Sequence, residues 1–280
     1  SVGGGIPIIR PLCQCLAANY IEGIAGILNG TTNFILTMMI EKGMSFDEAL
    51  KIAQEKGYAE KDPTADVEGH DACRKVCILA SLAFGKHVYP NQVETEGITN
   101  ITLEDVSYIE NAGGVIKLLG QIKYINDNEI AAFVSPAVVY NGSQLASVKD
   151  VFNAILVRGD AVGDVCFYGP GAGKLPTASA VVADIIDCAK HSERKKIFGW
   201  GAGNEDYVVD YKERIEMPFY VRAKATPAEI NAKFSDVKFL SRKGQPSDEV
   251  AFITDIMTEN KLNKKLDGIN VINTIKVTNY

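Results

Sequence analysis

Apolar and polar positions switch between two periods along this chain, and the switches mark its elements. Ile8 to Ala18 carry apolar residues at helical spacing, whereas Ile21 to Ile27 alternate as a strand does. Asn29-Gly30-Thr31-Thr32-Asn33 supplies turn and N-cap chemistry for a helix through Glu41. Ser45 with Glu48 forms a capping box for a helix to about Lys56, with Phe46, Ala49, Leu50, Ile52 and Ala53 on its apolar face and Gly57 as its stop. After a polar loop from Tyr58 to Ala65, apolar residues from Val67 to Ala83 recur at helical spacing and predict one long helix, Asp66 to Phe84.

The middle of the chain reads as strands. Gly120 to Ile125 and Ile130 to Tyr140 flank Asn126-Asp127-Asn128, and Ala154 to Arg158 and Val165 to Tyr168 flank a second glycine-rich turn. A helix from Thr177 to Ala189 follows Gly169 to Gly173. Hairpin-paired strands with long helices predict an α+β (α/β) fold, a mixed or antiparallel sheet covered by helices. From Ser192 the chain turns charged and glycine-containing, through Arg194-Lys195-Lys196 and Gly199-Trp200-Gly201, which reads as a linker over 192–216. The remainder, 217–280, has a β-α-β-β-α-β order, a ferredoxin-like plan small for independent stability. It is expected to pack on residues 1–191 or on another copy.

Composition narrows the class. With 46% hydrophobic residues the 280-residue chain can close a sizeable core, and a formal net charge of −6 leaves no basic surplus for nucleic acid or an anionic membrane. No apolar run approaches the length of a spanning helix and no signal peptide opens the chain, so a cytoplasmic protein is expected. The abrupt start at Ser1, without an initiator Met, reads as a cut from a longer protein. Cys13, Cys15, Cys73, Cys77, Cys166 and Cys188 sit in apolar segments and are expected as reduced core thiols, not disulfides or a zinc set.

The chemistry concentrates between Tyr58 and Lys75. Glu60, Asp62, Asp66, Glu68 and Asp71 precede Arg74 and Lys75, with Pro63 fixing the loop and Gly69 permitting close approach. Asp71 and Lys75, one helical turn apart, share a face, and the carboxylates could converge on one small cationic molecule. The plainer reading is an acidic helix start with an ordinary surface ion pair. A divalent-metal hydrolase using Glu60, Asp62, Asp66 and Asp71 is a further alternative, disfavoured because no histidine joins them.

The whole run, Ala53-x-x-x-Gly57-Tyr58-Ala59-Glu60-x-Asp62-Pro63-x-x-Asp66-Val67-x-Gly69-x-Asp71-x-x-x-Lys75, resembles the homoserine dehydrogenase signature at every fixed position. So do, in the right order, Ser1 to Ile9, Asn29 to Asn33, and Tyr168 to Gly173 with Pro176-Thr177-Ala178. The tail from Met217 resembles an ACT regulatory module only distantly, with Thr226-Pro227-Ala228-Glu229 in place of the usual Asp-x-x-Gly. The resemblance covers about residues 1–191 and implies interconversion of L-homoserine and L-aspartate 4-semialdehyde with NAD or NADP. It implies Lys75 and Asp71 as catalytic residues and Glu60, Asp66, Thr31 and the Tyr58 main chain around the substrate. Gly171 and Gly173 would close on the cofactor, and the main-chain carbonyls of Val2, Gly4 and Ile6 would hold a sodium ion. It further implies a homo-oligomer, dimer or tetramer, and an amino-acid effector at the ACT-like domain. No strand, Gly-x-Gly-x-x-Gly and helix sequence of a dinucleotide fold is present, so the chain alone is expected to be inactive, and an oligomerisation and substrate-binding module is the second reading.

Overall fold

The computed structural model describes residues 1–193 and 199–280. After a single wide turn, Pro11–Cys15, the chain runs β1 (Ile21–Ile27), α1 (Gly30–Lys42), α2 (Phe46–Glu55), α3 (Thr64–Val67), α4 (His70–Phe84), β2 (Glu94–Thr95) and α5 (Leu103–Asn111). Two hairpins follow, β3 (Gly114–Asn126) with β4 (Glu129–Tyr140) and β5 (Phe152–Gly159) with β6 (Gly163–Pro170), then α6 (Lys174–Lys190) and α7 (Tyr211–Arg214). The last part holds β7 (Glu216–Met217), β8 (Phe219–Lys224), α8 (Pro227–Lys233), β9 (Val237–Leu240), β10 (Glu249–Thr254), β11 (Met257–Thr258), α9 (Glu259–Leu266) and β12 (Asn270–Val277).

One mixed sheet organises almost all of this, in the order β6-β5-β1-β3-β4-β12-β8-β10-β9. Its neighbours are antiparallel except where β12 and the short β2 run parallel to β4. The mixed sheet agrees with the hairpin pattern, and β8-α8-β9-β10-α9-β12 follows the expected β-α-β-β-α-β order. Lys276 and Val277 of β12 pair with Ala137 and Val138 of β4, so the sheet passes unbroken from the first part of the chain into the last. Helices α1, α4 and α5 lie on one face, where Ile35, Val76, Leu79, Tyr108 and Ile122 are fully or almost fully buried. A second cluster, with Phe219, Val221, Phe252 and Leu262, packs α8 and α9 onto the C-terminal strands.

Local chemistry explains the helix ends. Asn29 accepts from the Thr32 amide, Ser45 and Glu48 form their reciprocal box, and Thr102 with Asp105 and Thr226 with Glu229 form two more. Two helices differ from the sequence pattern. Apolar spacing from Ile8 to Ala18 yields a helical segment shorter than the pattern, from Ile9 into the wide turn Pro11–Cys15, which buries Leu12 and leaves Cys13 and Cys15 facing solvent. The helix expected from Asp66 is broken: α3 ends at Val67 and α4 begins at His70, because Gly69 adopts φ 80°, a left-handed conformation that stops a right-handed helix.

The thiols also depart from expectation. Cys73 and Cys77 are buried, but Cys13, Cys15, Cys166 and Cys188 are exposed. Of the stretch expected to connect domains, Arg194-Lys195-Lys196 lie outside the described residues, while Tyr207 and Tyr211 are buried and Ile130 bridges to Val208. Helix α6, which follows the edge strand β6 in the chain, has no buried residue and exposes Leu175, Val181, Val182 and Ile185.

Candidate active site

The break at Gly69 creates the site. It turns the chain so that Asp66, near the end of α3, and Asp71, in the first turn of α4, both face the start of α1. Asn29, the N-cap of α1, lies between them: its Nδ2 donates to Asp66 Oδ1 at 2.7 Å and to Asp71 Oδ2 at 2.9 Å, while its Oδ1 accepts from the Thr32 amide. One turn along α4, Lys75 Nζ donates to Asp71 Oδ2 and to the Leu28 carbonyl, both at 2.7 Å. The Lys75 side chain is 22% exposed and that of Asp71 31%, so the pair is largely enclosed yet open to solvent on one side.

Thr31 donates to the Tyr58 carbonyl at 2.7 Å, tying the first turn of α1 to the acidic loop, and Phe34 meets the half-exposed Tyr58 ring edge-on. Glu60 stands exposed on that loop, which Gln54 fastens by donating to the Glu60 carbonyl at 3.1 Å. Asp62 turns away to cap Thr64, whose hydroxyl and amide hold its carboxyl below the usual range. The structure thus gathers Asp66, Asp71, Lys75, Thr31 and the Tyr58 main chain. Glu60 is a neighbour without a hydrogen bond or ion pair to them among the described residues.

Sequence reasoning placed Asn29 in a segment that resembles the family and read its side chain as an N-cap, but did not name it as a site residue. The signal was its two-sidedness, since a capping carboxamide has an amide half left to donate. It missed Lys117 on β3 as well, where alternation alone gives no reason for a buried cation. Of the carboxylates considered for a divalent metal, Asp62 caps Thr64 while Asp66 and Asp71 accept from Asn29, and no group of three or more histidine, cysteine, aspartate or glutamate residues could hold a metal among those described.

The glycine-rich segments meet each other. Gly3 and Gly4 have φ 78° and 51°, Gly5 donates to the Pro170 carbonyl at 3.2 Å, and a Cβ on Gly4 would sit 2.1 Å from the Gly171 oxygen. A Cβ on Gly171 would strike the buried Asn153 carboxamide at 2.2 Å, so packing alone demands that glycine. Gly173, at φ 121°, opens α6. Val2 and Ile6 are buried, and the Ile6 carbonyl accepts from the Ile8 amide.

A separate cavity of about 440 Å³ lies where β2 and β4 meet β12, α7 and α9. Glu68, Glu94, Glu96 and Glu259 line it with Lys212 and the buried Lys276. Lys276 reaches Glu96 at 3.2 Å and Glu259 at 3.4 Å.

Sheet, broken helix and helix-borne lysine define a mixed α/β protein with a polar site on the helix-covered face of its sheet. The chain belongs to the homoserine dehydrogenase family, whose family model matches residues 7–186. Over 190 residues it is 50% identical to the homoserine dehydrogenase of Synechocystis, an alignment covering 67% of this chain and 44% of that protein. The Bacillus subtilis enzyme is 47% identical over 191 residues, 68% of this chain and 44% of the relative. The chain therefore spans under half the length of these relatives. The crystal structure of a homoserine dehydrogenase from Thiobacillus denitrificans superposes with a TM-score of 0.84 at 37% identity, covering 99% of this chain and 68% of that one. A hyperthermophilic archaeal homoserine dehydrogenase mutant, solved in complex with NADPH, matches at TM-score 0.56 and 31% identity over 68% of this chain and 54% of its own. Among the described residues no helix is long and apolar enough to cross a membrane.

Proposed function

We propose that this chain carries the substrate-binding and proton-transfer half of a homoserine dehydrogenase, interconverting L-homoserine and L-aspartate 4-semialdehyde with NADP or NAD. The observation that carries this reading is Lys75, held at 2.7 Å by both Asp71 and the Leu28 carbonyl, with Asn29 and Asp66 beside it. The nicotinamide, when bound, supplies or accepts the hydride. The chain's own residues orient the substrate and move one proton. Lys75 donates to the aldehyde oxygen in reduction and accepts from the alcohol in oxidation, and Asp71 fixes its ammonium. Asp66 and Glu60 receive the substrate ammonium, with Thr31 and the Tyr58 carbonyl closing the other side.

Gly171 and Gly173 stand at the start of α6, where free amides favour an anionic part of the cofactor. Val2, Gly4 and Ile6 offer main-chain oxygens in a left-handed glycine turn, a donor set suited to sodium. The exposed apolar side of α6 is where the cofactor domain of the longer relatives would pack, and the assembly is a homo-oligomer. Turnover of homoserine with NADP is expected from a chain of the relatives' full length and absent from residues 1–280 alone. In the longer enzyme Lys75→Ala is expected to lower turnover by about 10²- to 10⁴-fold, a general-acid contribution. Unchanged turnover would remove Lys75 from the role.

A second element of the reading is regulatory. Residues 217–280 act as an ACT-like module after the connection 192–216, and the cavity against β2 and β4 is where an amino-acid effector would bind. Its support is the presence of both signs of charge, carboxylates for an ammonium and Lys212 and Lys276 for a carboxylate. Calorimetric titration with single amino acids, repeated on Glu68→Gln, tests it; absence of any heat sinks it.

A further inference from the structure

Lys117 is one of the least exposed charged side chains in the described structure, at 2%. It projects from β3 beneath α1, donating to Asn33 Oδ1 at 3.1 Å and to the Val148 carbonyl. Asn33 spreads its own Nδ2 over three carbonyls of the same loop, Val148 at 3.3 Å, Asp150 at 2.9 Å and Phe152 at 3.2 Å. Asp150 holds φ 54°, a conformation unusual outside glycine, and its amide donates to Thr37 of α1 at 3.1 Å. A buried ammonium with two neutral oxygens as its hydrogen-bond partners is a poor choice for stability alone, since desolvation of the charge is costly. What it connects gives the reason for its presence.

The loop it grips touches both glycine-bearing halves of the site. On one side, a Cβ on Gly30 would lie 2.8 Å from the Val151 oxygen, so the first residue of α1 rests directly on the loop, next to Asn29 and Thr31. On the other, the loop runs straight into β5, where Phe152 and Asn153 pair with Pro170 and Gly169 and the Asn153 carboxamide packs on Gly171. We propose that Lys117 is a positioning residue: it holds the Val148–Asn153 loop as a common brace that sets the substrate-side turn of α1 against the Gly169–Gly173 loop. The brace rests on the assignment of those two segments to substrate and cofactor for its purpose, though not for its physics.

Burial, reinforced by the nearby Lys149, pushes the Lys117 ammonium down to about 8, while Glu41 and Asp150 oppose that shift. Glu41 and Lys149 pair with each other, which holds Glu41 below and Lys149 above their ordinary values, so neither titrates near pH 8. In the ¹⁵N-labelled wild-type chain the amide signals of Asn33, Asp150 and Gly171 are therefore expected to move together with one midpoint near 8. The Lys117→Met chain should lose that shared titration. It should also exchange amide hydrogens roughly tenfold faster or more in both Gly30–Asn33 and Gly169–Gly173, with β8 and β10 changed less than about twofold. Lys117→Gln, which keeps a donor without the charge, serves if the methionine chain does not fold. Faster exchange everywhere alike, or in only one of the two segments, overturns the proposal, as does the absence of a shared titration in the wild type. No homoserine or cofactor enters these measurements, so failure of homoserine to bind would refute the reading of the site and leave this test intact.

Discussion

At the scale of single residues, the site depends on one carboxamide that two carboxylates share. Asn29 fills the gap between Asp66 and Asp71 with its donors and caps α1 with its acceptor. Aspartate caps a helix as well as asparagine does, so Asn29→Asp keeps the cap and reverses only the other half. It removes both donated bonds and brings a third carboxylate against two. The expected loss at neutral pH is about 1–3 kcal/mol, the range for leaving buried polar groups unsatisfied. A crowded carboxylate has its folded pKa raised above its unfolded value, so the folded state binds more protons and stability increases as pH falls through that window. Urea unfolding at mildly acidic and neutral pH should show the deficit shrinking in acid; an equal deficit at both pH values contradicts the shared-carboxamide account. Asp71 and Lys75 were legible in the sequence because one helical turn fixes that they meet, and Asp66 only through the resemblance of the whole run, since the break at Gly69 is what brings it to them. Asn29 and Lys117 were not, because their partners lie tens of residues away and no local period reports them.

At the scale of elements, what matters is that the helix predicted from Asp66 is two helices. Apolar periodicity runs through Gly69 without a fault, since Val67 and Ala72 are both buried on either side of the break. Periodicity therefore showed the buried face and concealed the kink. The kink is locked from outside: Gly97 lies so close that a Cβ there would stand 2.2 Å from the Val67 oxygen and 2.6 Å from the Glu68 Cα, and the Ile98 amide donates to that same oxygen at 2.8 Å. Gly97→Ala must push the α3–α4 turn aside. We expect a loss of about 1–3 kcal/mol from overpacking, together with weakened homoserine binding, because Asp66 moves with the turn. Gly142→Ala, which has open space around its Cβ and no left-handed φ, is the control and should stay within about 0.5 kcal/mol. If both alanine variants bind homoserine like the wild type, the turn does not position the carboxylates.

At the scale of the molecule, the sequence divides into two parts that the sheet does not respect. The order of strands and helices after Met217 was readable from alternation and turn residues, as were the two central hairpins. The pairing of β12 with β4 was not, since a strand's edge partner leaves no trace in its own period of two. Across that seam Asp105 of α5 is fully buried, accepting from Tyr220 at 2.9 Å and Asn273 at 2.9 Å and lying 3.2 Å from Arg222 Nε. Tyr108, one turn on, donates to Glu249 of β10 at 2.8 Å. Two separate domains joined by a tether would unfold in two steps, and a change at Asp105 would move only one. A continuous sheet with a buried ion pair on its seam should unfold in one. We therefore expect far-UV dichroism and Trp200 fluorescence to report a single coincident transition in urea for the whole chain. Asp105→Ala removes the carboxylate and leaves the buried Arg222 without its nearest counter-charge, a change that costs about 3–5 kcal/mol when a buried pair is broken from one side. Both probes should shift by the same amount. Separation of the two curves in Asp105→Ala, or a shift in dichroism without one in fluorescence, would show that the C-terminal strands fold as a unit of their own.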